Sequence, residues 1–273
     1  MQLRLFQLGT NHLLLNGDST DADHLAILHS AAKELGIDKA EICLTDPPYG
    51  MDIYKKDGNI ANNDTYSCKF VFYITLQGLK KCFTCRRYLA FSCGGSMYSF
   101  LDCFKRELIP VKNVLVWIKH TLSLGFSEFR GQNEFIVYAG NTDSTHRNKS
   151  KGTTTVFFSR TENDCSKDYP WKHPTMKPIK LLRDLLDATT IVGDVIIDPF
   201  AGTGSSLVAA HRTGRKWLGV ELDPKYCIAT LMRYRYETAK QSPVYEIIDG
   251  QRVELSDEEL EQQFQEYKAQ QSA

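Results

Sequence analysis

The chain has 273 residues, 42% of them hydrophobic and 24% charged, with 33 basic and 33 acidic side chains that cancel at neutral pH. That length suits one large α/β domain or two small ones, and the composition is that of an ordinary soluble globular protein. A membrane-spanning segment is excluded, because no apolar run approaches the roughly 18 residues a span needs.

The opening stretch MQLRLFQLGTNHLLLNGD is broken by Gln7, Asn11 and His12, which argues against a signal peptide and makes a cytoplasmic location the expectation. Short apolar runs then alternate with helical stretches. NHLLLNGD precedes a helix through ADHLAILHSAAKELG. EICLTD follows, and a helix is expected in FVFYITLQGLKKCFTCRRYL, residues 70–89. SMYSF, NVLVWIK and EFIVYAG come next as apolar runs. After a polar stretch there is a helix in PIKLLRDLLDAT, the run DVIIDPF, a helix in SSLVAAHRTG, the run WLGVEL, and a helix from Asp223 to about Lys240. This alternation predicts a doubly wound α/β fold with a mostly parallel sheet covered on both faces. Ligands of such sheets bind beyond the carboxyl ends of the strands, where the strand order reverses.

Two polar segments interrupt the pattern, residues 51–67 and 141–172, and loops of that length in a compact domain are usually functional or disordered. Charge is unevenly spread. Residues 145–180 hold eight bases against three acids, a segment able to touch nucleic acid. Residues 249–273 hold seven acids against two bases and read as a solvated amphipathic tail helix. The eight cysteines are scattered; Cys82 and Cys85 form the one close pair with zinc-like spacing, no second pair follows, and no metal is expected.

Two stretches carry chemistry. In LTDPPYG, an apolar strand delivers Asp46, two rigid prolines (Pro47 and Pro48) and the ring of Tyr49 to its end. On its own this is also good turn chemistry. In VIIDPFAGTGSSLVAA, a buried strand ends at Asp198, Phe200 follows, and Gly202 and Gly204 allow close backbone approach before Ser205 or Ser206 caps the next helix. The strand WLGVEL then ends at Glu221, whose carboxylate can accept from ribose hydroxyls, the arrangement of a Rossmann-type nucleoside site. A dinucleotide fingerprint would need a third glycine at 207, which is Leu207.

DPFAGTGSS together with TDPPYG resembles the amino-directed DNA methyltransferases, and the order, Asp-Pro-Pro-Tyr before Phe-x-Gly-x-Gly, resembles their β class with its circularly permuted motifs. LLNGDS at 14–19, GGSMYSF at 94–100, VLVWIKH at 114–120, NEFIVYAG at 133–140 and HPTMKP at 173–178 extend the likeness over roughly residues 11–240. The resemblance implies a Rossmann-like, S-adenosylmethionine-dependent enzyme that methylates the N6 of adenine in a specific sequence of double-stranded DNA. Asp46 in the first motif position favours adenine over the N4 of cytosine.

The exocyclic amine is a poor nucleophile, so acceptors aimed at its N–H bonds assist attack on a sulfonium methyl. Asp46 supplies one and the Pro47 carbonyl the other, while Tyr49 stacks on a base flipped out of the duplex. No Pro-Cys nucleophile occurs in the chain, and Cys43 is expected to pack in the core. By resemblance, Asp18 bonds the cofactor adenine (its alternative being a helix N-cap) and Glu221 the ribose. Asp198, Phe200, Gly202, Gly204, Ser205 and Lys177 line the methionine side.

Residues 141–172 are then a target-recognition insertion between a catalytic half, 1–140, and a cofactor half, 173–240, with a tail helix at 241–273. Arg147, Lys149, Lys151 and Arg160 are its candidate DNA contacts. A homodimer and a companion restriction endonuclease are conceivable partners. Two other readings stay open: methylation of RNA or protein, and a DNA-binding relative without activity.

Overall fold

The computed structural model describes residues 3–49, 65–122, 128–141, 153–160 and 176–272. Along the chain the elements are β1 (Arg4–Leu8), β2 (His12–Asn16), α1 (Ala22–Glu34), β3 (Ile42–Thr45), α2 (Thr65–Cys82), β4 (Arg87–Ser92) and α3 (Met97–Arg106). Next come β5 (Val111–Ile118), β6 (Asn133–Gly140), β7 (Val156–Phe158), α4 (Ile179–Thr189), β8 (Val195–Asp198), α5 (Ser205–Arg212) and β9 (Lys216–Glu221). The chain closes with α6 (Pro224–Glu237), β10 (Val244–Ile248), β11 (Gln251–Glu254) and α7 (Asp257–Ser272).

The strands form one sheet in the order β11-β10-β1-β2-β9-β8-β3-β4-β6-β5-β7. Its middle, β2-β9-β8-β3-β4, is parallel throughout. That block is the doubly wound core expected from the sequence, and antiparallel strands extend it on both sides. Positions in β2, β3 and β4 are buried without exception, which is why they read as continuous apolar runs.

Helices cover both faces. Leu25 and Leu28 of α1, Phe72 and Leu76 of α2, and Phe100 and Phe104 of α3 pack on Leu13, Cys43, Ala90 and Leu218. On the opposite face Leu182 of α4, Leu207 of α5, Leu231 of α6 and Leu260 of α7 pack on Leu14, Ile42, Leu44 and Trp217. Cys43 thus points away from Ile42 and Leu44 into the core, as strand alternation requires.

Several elements differ from the sequence expectation. The helix expected over 70–89 ends at Cys82; Thr84 takes φ 45°, and Arg87–Ser92 is a strand. Its burial on both faces removed the alternation that marks a strand, and Arg87, paired with Glu41, disguised it further. SMYSF is no strand but the start of α3, whose Phe100, Cys103 and Phe104 recur at helical spacing. The region 241–273 is helical only from Asp257; before it β10 and β11 form a hairpin around Asp249 and Gly250, both at positive φ. The tail helix is also not freely solvated, since Leu260 and Phe264 are fully buried. Strands β1 and β7 were not foreseen.

Strand order fixes where a site can form. The path β2-α1-β3-α2-β4 winds one way across the sheet and β8-α5-β9 winds the other, so β3 and β8 meet at the reversal. The carboxyl ends of all five parallel strands lie along one edge. Antiparallel β6 begins at that edge, with Phe135 opposite Ser92, and β5 ends there, with Ile118 opposite Asn133. Residues 1–140 and 173–240 therefore contribute neighbouring strands to a single sheet.

Candidate active site at the carboxyl edge of the sheet

The glycine turn is built around Asp198. Its Oδ1 accepts from Thr45 Oγ1 at 3.0 Å and from the Phe200 amide at 3.1 Å, and its Oδ2 accepts from Ser206 Oγ at 2.5 Å. Ser206 Oγ accepts in turn from Trp217 Nε1 at 3.0 Å. Burial pushes the Asp198 carboxyl up to about 6, against these hydrogen bonds. Asp198, expected to line the ligand, is thus the anchor of the turn. The α5 cap is Gly204, at φ 76°, rather than either serine. Ser205 Oγ instead accepts from the buried Arg233 guanidinium at 3.0 Å.

Gly202 and Gly204 do different jobs. A Cβ on Gly204 would lie 2.8 Å from Thr230 Cγ2, whereas one on Gly202 would meet none of the described residues within 4 Å. Among the described residues the space at Gly202 is therefore open to a ligand. Beside it Glu221 accepts from the Gly202 amide at 2.7 Å and from the Asp223 amide at 2.8 Å. Burial raises the Glu221 carboxyl to about 7.

The end of β9 is tied to the end of β2. Asn16 Nδ2 donates to the carbonyls of Glu221 and Leu222, and the Gly17 amide to that of Glu221. This brings Asp18 to the same rim. Its Oδ1 accepts from the Thr20 amide and hydroxyl at 2.8 and 2.7 Å. The N-cap alternative for Asp18 is overturned, since Asp21 caps α1. Phe200 packs partly buried against the α1–α3 layer. Open space at a left-handed glycine, with the Glu221 and Asp18 carboxylates at the same rim, fits a nucleoside with a sugar to be gripped.

The second half of the site is ionic. Buried Pro47 and partly buried Pro48 carry the chain from β3 to Tyr49. Asp46 Oδ1 accepts from the Tyr49 hydroxyl at 2.5 Å and its Oδ2 from Lys177 Nζ at 2.5 Å. Lys177, which the resemblance grouped with the cofactor, belongs to the acid's own cluster. Its side chain is 6% exposed, and its ammonium lies 5.4 Å from the Tyr49 ring centroid and 5.1 Å from that of Phe91. Burial lifts the Asp46 carboxyl above the usual carboxylate range, with Glu134 adding and Lys177 opposing. Burial works against the Lys177 ammonium, yet the two carboxylates outweigh it and hold its pKa above the ordinary value.

Two residues here went unforeseen. Glu134, on β6, lies 3.2 Å from both Lys177 Nζ and the Tyr49 hydroxyl, and 2.5 Å from Lys119 Nζ. Both sit at this edge because β6 runs against the parallel core and starts there, while β5, antiparallel to β6, runs with the core and ends there, directions the sequence did not disclose.

The candidate DNA contacts are only partly described. Arg160 is exposed just beyond β7, which pairs with β5 so that Phe158 lies opposite Ile118 at this same edge. Arg147, Lys149 and Lys151 lie outside the described residues, as does most of the polar segment 51–67. Among the described residues no group of three or more His, Cys, Asp or Glu is placed to hold a metal, and no helix is long and apolar enough to cross a membrane.

Comparison with known proteins bears on this geometry. The family model for N6/N4 methyltransferases, described as DNA methylase, matches residues 40–232. The chain is 29% identical over 144 residues to the type II methyltransferase M2.DpnII of Streptococcus pneumoniae, an alignment covering 48% of this chain and 53% of that protein. The chain thus spans about half the length of this curated relative. The M1.HpyAVI–SAM complex is similar in structure, with a TM-score of 0.55 at 18% identity over 81% of this chain and 98% of that one. The cytosine-N4-specific PvuII DNA methyltransferase matches over 96% of this chain and 95% of its own, with a TM-score of 0.62 at 15% identity. With both motifs facing one edge of the sheet and the family match running through them, the chain belongs to the N6/N4 DNA methylase family.

Proposed function

We propose that this protein transfers a methyl group from S-adenosylmethionine to the exocyclic N6 of an adenine flipped out of double-stranded DNA. The observation that carries the reading is the junction of β3 and β8. The Thr45–Asp198 hydrogen bond holds the Asp46 loop beside the glycine turn, at the point where strand order reverses. A cofactor held at one loop and an amine held at the other would face each other there.

S-adenosylmethionine supplies a methyl on a positively charged sulfur. Asp18 and Glu221 hold the adenosine, Gly202 leaves room for it, and Asp198, Ser205 and Gly204 shape the turn. Asp46 and the Pro47 carbonyl accept from the target amine, Tyr49 offers its ring to the base, and Lys177, on Asp46 Oδ2, opposes the effect of burial on that carboxyl. Asp46 then serves as an acceptor from the first approach and takes the proton only after the amine has been methylated. Arg160, with Arg147, Lys149 and Lys151 of the 141–172 segment, contacts the duplex.

The N4 of cytosine carries the same pair of N–H bonds, and the family spans both amines. Expression in a methylation-free bacterial host, followed by long-read mapping of modified bases, separates the two. Methyladenine in one sequence context is expected. Methylcytosine would move the assignment to the second amine, and unmodified DNA would overturn the reading.

A further inference from the structure

Glu134 has no part in the reaction as described, yet it touches its centre. Its side chain is 12% exposed, at the start of β6, among Lys119, Lys177 and Tyr49. Two carboxylates, Asp46 and Glu134, share two ammonium groups here. Burial pushes Glu134 up, but Lys177 and Lys119 outweigh it and hold it below its ordinary range, so it stays ionised.

The conflict lies at the Tyr49 hydroxyl. It is within reach of Asp46 Oδ1 at 2.5 Å and of Glu134 Oε2 at 3.2 Å, and among the described residues these are its hydrogen-bond acceptors. A phenol has one hydrogen and donates to one carboxylate at a time. Burial raises its pKa well above the ordinary value, so it remains a neutral donor. With Tyr49 on Oδ1 and Lys177 on Oδ2, both oxygens of Asp46 already hold a donor. A carboxylate oxygen has two lone pairs, so an incoming amine can join the phenol at Oδ1, but it then shares that oxygen with a donor already in place.

We propose that Glu134 is a positioning residue for methyl transfer, the second acceptor to which the Tyr49 hydroxyl moves so that Asp46 Oδ1 is bared for the target amine. No covalent bond changes in this step; the phenol proton stays on Tyr49 and only its acceptor is exchanged. The inference rests on the methyl-transfer reading above.

The test is a double-mutant cycle on the full chain, with tritiated S-adenosylmethionine and DNA bearing the mapped site, read as the single-turnover transfer rate. Glu134→Ala is expected to slow transfer by about ten- to a hundredfold, the scale of one hydrogen bond to a charged group, with cofactor affinity by calorimetry unchanged. In a Tyr49→Phe background, where there is no hydroxyl to move, the same substitution is expected to cost less than about threefold. The near-isosteric Glu134→Gln, which keeps an acceptor oxygen, is run in both backgrounds as a second arm and is expected to fall between wild type and Glu134→Ala. An undiminished rate in Glu134→Ala, or an equal loss with and without the hydroxyl, would overturn the proposal. If the wild-type chain itself transfers no methyl, it is the methyl-transfer reading that fails.

Discussion

Thr45 and Asp198, far apart in the sequence, meet across two adjacent parallel strands: the threonine hydroxyl donates to the aspartate at 3.0 Å. Each is the last residue of its strand, β3 and β8. The bond fixes the spacing between the loop that follows Thr45 and the turn that follows Asp198. Everything the site is expected to do depends on that spacing.

Asp46→Ala is expected to lower methyl transfer by at least about a hundredfold, the scale of losing a preorganised charge at a reacting centre. Cofactor affinity should hardly change. Lys177 keeps Glu134 as its counter-ion, so the variant does not strand a buried ammonium. Tritiated-methyl transfer and calorimetry on the same preparation check both halves.

Glu221→Gln is expected to weaken cofactor binding by about tenfold or more, because a charged acceptor is lost. The pH dependence has a definite sign. The carboxyl is raised from an ordinary 4.5 to about 7 in the folded chain. Its contribution to the stability of the free protein is therefore fully present below 4.5 and lost as the pH rises through about 7. Sugar hydroxyls donate best to the ionised form, so cofactor affinity should rise across that same range. In Glu221→Gln both trends should flatten, as followed by calorimetry and thermal melts over pH.

The two glycines of the turn should separate stability from binding. Gly204→Ala forces a Cβ to 2.8 Å from Thr230 Cγ2 at φ 76° and is expected to cost about 2–3 kcal/mol in urea unfolding. Gly202→Ala meets no neighbour among the described residues and should cost only the backbone term, about 1–2 kcal/mol. Its new methyl projects into the space proposed for the cofactor, so its main effect should be lost affinity.

Ser206→Ala removes a donor from the buried Asp198 and an acceptor from Trp217 at once. A loss of about 1–3 kcal/mol is expected, the penalty for buried polar groups left unpaired. Denaturant titration measures it.

Neutralising Lys149, Lys151 and Arg160 together is expected to reduce the slope of log affinity against log salt. The reduction should be nearly one for each phosphate left without its cation, about two to three in all. Fluorescence anisotropy with labelled duplex over a salt series reads the slope. An unchanged slope would place phosphate binding elsewhere on the protein.

Much of this protein is legible along the chain. TDPPYG and DPFAGTGSS announce themselves by local chemistry, since prolines restrict the backbone and glycines free it for left-handed turns wherever they stand. The parallel core follows from buried strands alternating with amphipathic helices. The terminal hairpin was legible too, because Asp249-Gly250 between two short strands is a two-residue turn signal that the acidic composition obscured. Other features were not written locally. The strand Arg87–Ser92 shows no alternation because helices cover both of its faces, and Arg87 reads as a surface base until Glu41 is seen beside it. Nothing near Glu134 or Lys119 reveals that β6 starts, and β5 ends, at the carboxyl edge because the two strands pair antiparallel there. Nor does HPTMKP reveal that its lysine reaches Asp46. Backbone restriction is a property of neighbours in sequence, and the sequence determined it. The charge balance around the acid is a sum over groups from four distant segments, and only the order and direction of strands in the folded sheet decided that.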